Sequence, residues 1–140
     1  MPKPSDVTLS ALPKLEANDI RLLWVNDWHD GPLEAVVERA GERLLMVLHS
    51  MPEARAADDA PWQWLLYPLT PAQWEEEDRW HALFEQHVGH HWCFHHDAPS
   101  EPREPESRDP QRFYEPYKSR KPLDLASNVP VAWLDQMPAK

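Results

Sequence analysis

The sequence predicts an α+β fold: an antiparallel sheet of four or five strands with one long helix packed on a face, with a curled barrel-like sheet carrying one helix as the alternative. Three observations point there. Short apolar runs rich in Val, Leu and Met follow one another closely between residues 20 and 67, which is the spacing of consecutive antiparallel strands. Ala40-Gly41 separates two of these runs as a hairpin turn does. A marked helix start comes next, with Thr70 to cap, Pro71 for the first helical position and Gln73 three residues after the cap.

The elements read in order. Residues 1–17 hold three prolines and no sustained period, so they form a flexible lead-in. Residues 18–96 form the compact domain. Its first strand is Ile20–Val25, apolar at nearly every position and suited to burial on both faces. Asn26–Pro32 carries turn formers and ends it. Leu33–Arg39 and Glu42–His49 make the hairpin, and Trp62–Tyr67 a fourth strand with Trp62, Trp64 and Leu66 on one face. The helix runs from Pro71 to Val88 and stops at Gly89. At 100° per residue it places Trp80, Phe84 and Val88 toward the sheet. His90–His96 can supply a fifth short strand. Residues 97–112 are a proline-rich, charged linker. Residues 113–140 regain aromatic and aliphatic side chains, and read as an extended arm that docks on the domain or on a partner, with Trp133 as anchor.

Composition narrows the function classes. The chain has 140 residues, enough for one hydrophobic core. Its 24 acidic side chains against 14 basic ones leave a formal charge of −10. That balance opposes binding to a phosphate backbone, so no nucleic-acid partner is expected, and it suits a basic protein partner. Three glycines and no GxGxxG or P-loop pattern argue against a nucleotide cradle. No apolar run is long enough for a membrane span, and none follows the N-terminal lysines as in a secretory signal. Cys93 is the single cysteine, which fits a reducing compartment. The sequence therefore points to a cytoplasmic protein.

Several groups of residues could carry chemistry. On a strand over 90–96, His91, Cys93 and His95 share a face at two-residue spacing and could hold zinc or iron; no HExxH or CxxC spacing accompanies them, and histidines on the wet side of an edge strand need no metal. Asp27, His29 and Asp30 form a polar group between strands, where a flanked histidine can serve as a base; the same residues are turn formers. Glu77 and His81 lie one helical turn apart beside Trp80, a carboxylate–imidazole pair near the apolar face. The last group is aromatic. Eight tryptophans exceed what a small core absorbs, and Trp28, Trp62 and Trp133 are the candidates for an interaction surface.

Two function classes follow. The first is a small acidic protein-binding module without catalytic activity or cofactor: a regulator, an inhibitor or an immunity-type partner, compatible with self-association. The second is a small metal-dependent or acid/base enzyme built on the histidine cluster.

Overall fold

The structure, a computed structural model, describes residues 7–28, 32–50, 62–88, 111–121 and 123–139. Its elements run β1 (Arg21–Trp28), β2 (Pro32–Arg39), β3 (Glu42–Ser50), β4 (Gln63–Tyr67), α1 (Pro71–His87), α2 (Gln111–Lys118) and β5 (Ala132–Leu134). The fold is α+β: a five-stranded antiparallel sheet in the order β1-β2-β3-β4-β5, not closed into a barrel, with two helices of which α1 is the long one. By packing the chain divides into two units. Residues 1–27, 32–69 and 124–140 belong to the sheet unit, and residues 28–31 and 70–123 to the helical unit.

Register explains the core of the sheet unit. Ala35 pairs with Met46 and Val37 with Leu44; Met46 pairs with Leu66 and Leu48 with Trp64; Leu66 pairs with Ala132 and Trp64 with Leu134. Paired residues point the same way and alternate along each strand, so all of these line one face. Most of them are buried. On the opposite face Val36, Leu45 and Tyr67 are aligned and also buried, which is why the central strands read as nearly continuous apolar runs. The Trp64 indole donates to the Pro32 carbonyl at 2.8 Å, giving its polar atom a partner inside the core.

Ala40 and Gly41 have φ of 52° and 84°. Two successive residues with positive φ make the hairpin turn whose twist matches that of the flanking strands. A register shift falls between Leu48 and Ser50, and past it the Ser50 hydroxyl donates to Gln63 at 2.7 Å.

Three elements depart from expectation. The first strand continues through Asn26 and Asp27 to Trp28 instead of turning at Asn26. Trp24 donates its indole N–H to the Asn26 side chain at 3.0 Å; residues two apart share a strand face, so this bond favours the extended chain over an Asx turn. The fifth strand is Ala132–Leu134 on β4; residues 90–96 lie outside the described residues. The C-terminal arm is not extended throughout, since Gln111–Lys118 is helical. There Phe113 and Tyr117 fall one turn apart and meet α1, and this packing overrides the weak propensity of a segment that contains Pro116.

α1 begins as its sequence requires. The Thr70 hydroxyl accepts from the Gln73 amide at 3.2 Å, and the Gln73 side chain accepts from the Thr70 amide at 2.9 Å. Its apolar side is covered by α2: Phe84, Val88 and Phe113 form a buried cluster flanked by Trp80, Leu83, Tyr114 and Tyr117.

Candidate functional site

The rim of that helical cluster gathers aromatic and charged side chains. Phe113 stands edge-on to Phe84 at 5.3 Å and stacks with Tyr117 at 4.8 Å. Trp80 meets Tyr117 edge-on at 5.4 Å. These are the arrangements that ring quadrupoles favour. Because Phe84 and Phe113 are buried behind them, Trp80 and Tyr117 are fixed from the inside while remaining half-buried at the surface.

Each of the two rings carries a guanidinium. The Arg79 guanidinium lies 4.5 Å from the Trp80 ring centroid, and that of Arg120 lies 4.1 Å from the Tyr117 centroid. Such stacking contributes about 0.5–1 kcal/mol at exposed positions. It also holds two flexible cations in place. Glu76 completes the group, accepting from Arg79 Nη2 at 2.6 Å and from the Trp80 indole at 2.8 Å. The hydrogen bond from Arg79 holds the Glu76 carboxyl below its ordinary value; the bond from Trp80 and the positive charges of Arg79 and Arg120 pull the same way. Arg120 donates to the Tyr117 hydroxyl at 2.7 Å. No carboxylate pairs with it among the described residues. The result is an aromatic platform bounded by two cations, Arg79 paired with Glu76 and Arg120 bonded to the Tyr117 hydroxyl.

The residues singled out from sequence take various places. Glu77 is buried at 6% exposure and His81 is half-buried on the same helix. His81 pairs forward with Glu85 at 3.2 Å, and burial pushes its pKa down against the smaller opposing pull of Glu85 and Asp78. Asp27 is exposed near the end of β1. Trp28 closes that strand, and His29 and Asp30 lie outside the described residues. His91, Cys93 and His95 also lie outside them. Among the described residues no group of three or more metal-ligating side chains is placed to hold an ion.

Trp62 and Trp133 are both half-buried. Trp62 leans on Trp64 at 6.0 Å, and Trp133 sits under Lys14, whose ammonium is 5.5 Å from its ring and 3.0 Å from Asp135. A further hollow of about 220 Å³ opens at the β2–β3 turn, lined by Arg39, Ala40, Glu42, Leu44 and Val131. Its two charged side chains are exposed.

Glu76, Arg79, Tyr117 and Arg120 were not indicated as a site by sequence reasoning. A signal for them exists: Glu76 stands three and four residues before Arg79 and Trp80, and Tyr117 three before Arg120, the spacings that meet on a helix. What the spacing omits is that the two segments, thirty or more residues apart, share one hydrophobic cluster. No helix among the described residues is long and apolar enough to cross a membrane. No family model matches the chain, and no curated protein or solved structure does so.

Proposed function

We propose that the chain is a small acidic, cytoplasmic protein-binding module without catalysis of its own, a regulator or an inhibitor or immunity-type partner, which engages its target through the α1–α2 face. The observation that carries this reading is the pair of fixed, half-buried rings, Trp80 and Tyr117, each roofed by a guanidinium. Trp, Tyr and Arg dominate binding hot spots because they bring large contact area and directed hydrogen bonds at low entropic cost. Held against Phe113 from behind, these side chains have already lost most of the freedom that binding would otherwise remove. The overall charge of −10 would steer a basic partner toward the molecule as a whole.

Affinity capture tests the proposal. Wild-type protein and the Glu75→Ala variant, altered at an exposed position on α1, should retain the same partner, whereas Trp80→Ala and Tyr117→Ala should lose it while keeping native circular dichroism. A partner lost from Trp62→Ala or Trp133→Ala instead would move the interface to the sheet unit. Stoichiometric zinc or iron in purified protein would favour the enzyme reading.

A further inference from the structure

We propose that the outer edge of β5 is a second docking site, one that takes an extended segment of a partner protein with a lysine followed by a leucine, and that the chain's own residues 13–15 occupy it as a built-in competitor. The site lies within the sheet unit and does not depend on the α1–α2 face.

The chain displays the recognition chemistry on itself. Residues 13–15 run parallel to β5 with Lys14 opposite Trp133. The Leu15 amide donates to the Trp133 carbonyl at 2.8 Å, and the Trp133 amide to the Pro13 carbonyl at 3.1 Å. Main-chain bonds of this kind are how a sheet edge takes up a foreign strand, with side-chain contacts choosing the sequence. Two such contacts are present. The Leu15 side chain is buried. The Lys14 ammonium stands 5.5 Å from the Trp133 ring and 3.0 Å from Asp135, so a ring face and a carboxylate share one cation. The preference for a cation rests on this contact and not on the charge of the molecule.

The hold is small. Between residues 7 and 19 only Leu15 is buried, and the short helical turns on either side, Leu9–Ala11 and Ala17–Asp19, bury nothing. Two backbone bonds, one leucine and a partly exposed ion pair oppose the conformational freedom regained on release. Ile20 is buried and the Val7 carbonyl meets His49, so the segment between can lift from β5 and return while both flanks stay attached. Segments with so few buried contacts open at the low end of the stability range.

The chain's own segment is also an incomplete fit. The large aliphatic side chains exposed among the described residues are Val129, Val131 and Met137, at 73%, 43% and 39%, and all three flank β5. Pro130 favours an extended Val129. In the parallel register, the residue two before the lysine stands opposite Val131 and the one four before it opposite Val129. In this chain these are Leu12 and Ser10, and Ser10 is coiled into the turn Leu9–Ala11, which leaves Val129 in water. A segment that stays extended and carries an aliphatic residue four before its lysine covers Val129 as well. That selects a foreign segment over the same segment of a second copy.

Fluorescence anisotropy on the full chain tests this with three labelled peptides: Val-Thr-Leu-Pro-Lys-Leu-Thr, its variant with glutamate in place of lysine, and Ser-Ala-Leu-Pro-Lys-Leu-Glu, which repeats residues 10–16. Apparent affinity scales with the fraction of molecules whose edge is open. Leu15→Ala loosens the chain's own segment and leaves its slot intact, so it should bind the valine peptide about tenfold more tightly than wild type does. Lys14→Ala, at an exposed position that leaves the core untouched, should gain about threefold. The glutamate peptide should bind about tenfold more weakly than the valine peptide. Val129→Thr should weaken the valine peptide by about threefold and leave the repeat peptide unchanged. Trp80→Ala should alter none of these values, which separates this site from the α1–α2 face. Equal binding to wild type, Lys14→Ala and Leu15→Ala would mean that the chain's own segment does not compete, and no binding to any of them would make the edge a structural seam; either result overturns the proposal. A repeat peptide that binds as tightly as the valine peptide would give the edge to a second copy of the chain, and a foreign partner would then be ruled out as its intended occupant.

Discussion

Ala40 sits where the hairpin demands positive φ, and an alanine Cβ is poorly tolerated there. Its φ of 52° places the side chain near the following carbonyl, at about 1–2 kcal/mol relative to an unstrained residue. Asparagine enters this region more readily and is favoured at the first position of such turns. Ala40→Asn should therefore raise stability by about 0.5–1 kcal/mol, read as a higher urea midpoint with unchanged slope. Gly41 is the mirror case. Nothing lies within 4 Å of where its Cβ would stand, so Gly41→Ala should lose about 1 kcal/mol through the backbone alone. His81 gives a residue-scale prediction in pH. Its folded pKa is depressed, burial being the main cause, so the unfolded chain takes up a proton near the ordinary imidazole value of 6.5 while the folded chain stays neutral. Below that pH the unfolded state binds more protons, and stability falls as pH is lowered through the window between the two pKa values. His81→Gln should flatten this part of the pH–stability curve. A curve of unchanged slope in the variant would assign the loss to other histidines.

At the level of elements, what could be read in advance depended on whether the signal was local. The start of α1 was legible because Thr70, Pro71 and Gln73 act on their own backbone within one turn. The β2–β3 hairpin was legible for the same reason. The strand β5 was not, because three residues are too few to display a period, and Ala132–Leu134 is held by β4 and not by any preference of its own. The helix α2 was hidden by proline-punctuated surroundings, although its aromatic pair Phe113 and Tyr117 has helical spacing. The candidate site inherited that blindness, since half of it lies on α2 or just beyond. The apolar side of α1 was legible, but its orientation toward the sheet is not shown: Trp80, Phe84 and Val88 do share that side, and Phe113 with its neighbours packs on it. Phe84→Ala should therefore cost about 3 kcal/mol, the lower end for a buried phenylalanine because several of its neighbours are only half-buried. The distinguishing measurement is the near-ultraviolet signal of Tyr117 and Trp80. It should weaken in Phe84→Ala and persist in Glu75→Ala; a variant that loses less than about 1 kcal/mol would place Phe84 outside the cluster.

Across the sheet unit, the segment before β1 and the segment around and after β5 are tied to each other and to the sheet by backbone bonds. The segment before β1 runs parallel to β5: the Leu15 amide donates to the Trp133 carbonyl at 2.8 Å, and the Trp133 amide donates to the Pro13 carbonyl at 3.1 Å. Further along, the Leu22 amide of β1 donates to the Ala139 carbonyl at 2.8 Å. His49 adds a third tie, its ring nitrogen meeting the Val7 carbonyl at 2.8 Å. An exposed strand edge invites pairing with other chains, and here the N-terminal segment covers the edge of β5 with backbone bonds. Part of the lead-in read from its prolines as flexible thus bonds to the sheet, Pro13 and Leu15 through Trp133, more than a hundred residues away, and Val7 through His49, partners that no local pattern reveals. The segment is held by more than hydrogen bonds, because Leu15 is buried at 9% exposure. Lys14 contributes less. Its bridge to Asp135 joins partly exposed groups, and such pairs add at most about 1 kcal/mol, screened by salt. Leu15→Ala should consequently destabilise the chain by about 2 kcal/mol, the low end for a buried leucine since it lies at an edge. Lys14→Ala should change stability by less than about 1 kcal/mol and only at low salt. Combining Leu15→Ala with Trp133→Ala should cost less than the sum of the two, because each removes part of the same docked segment. Strict additivity in urea unfolding, or a silent Leu15→Ala, would mean that the segment does not act as a clasp on β5.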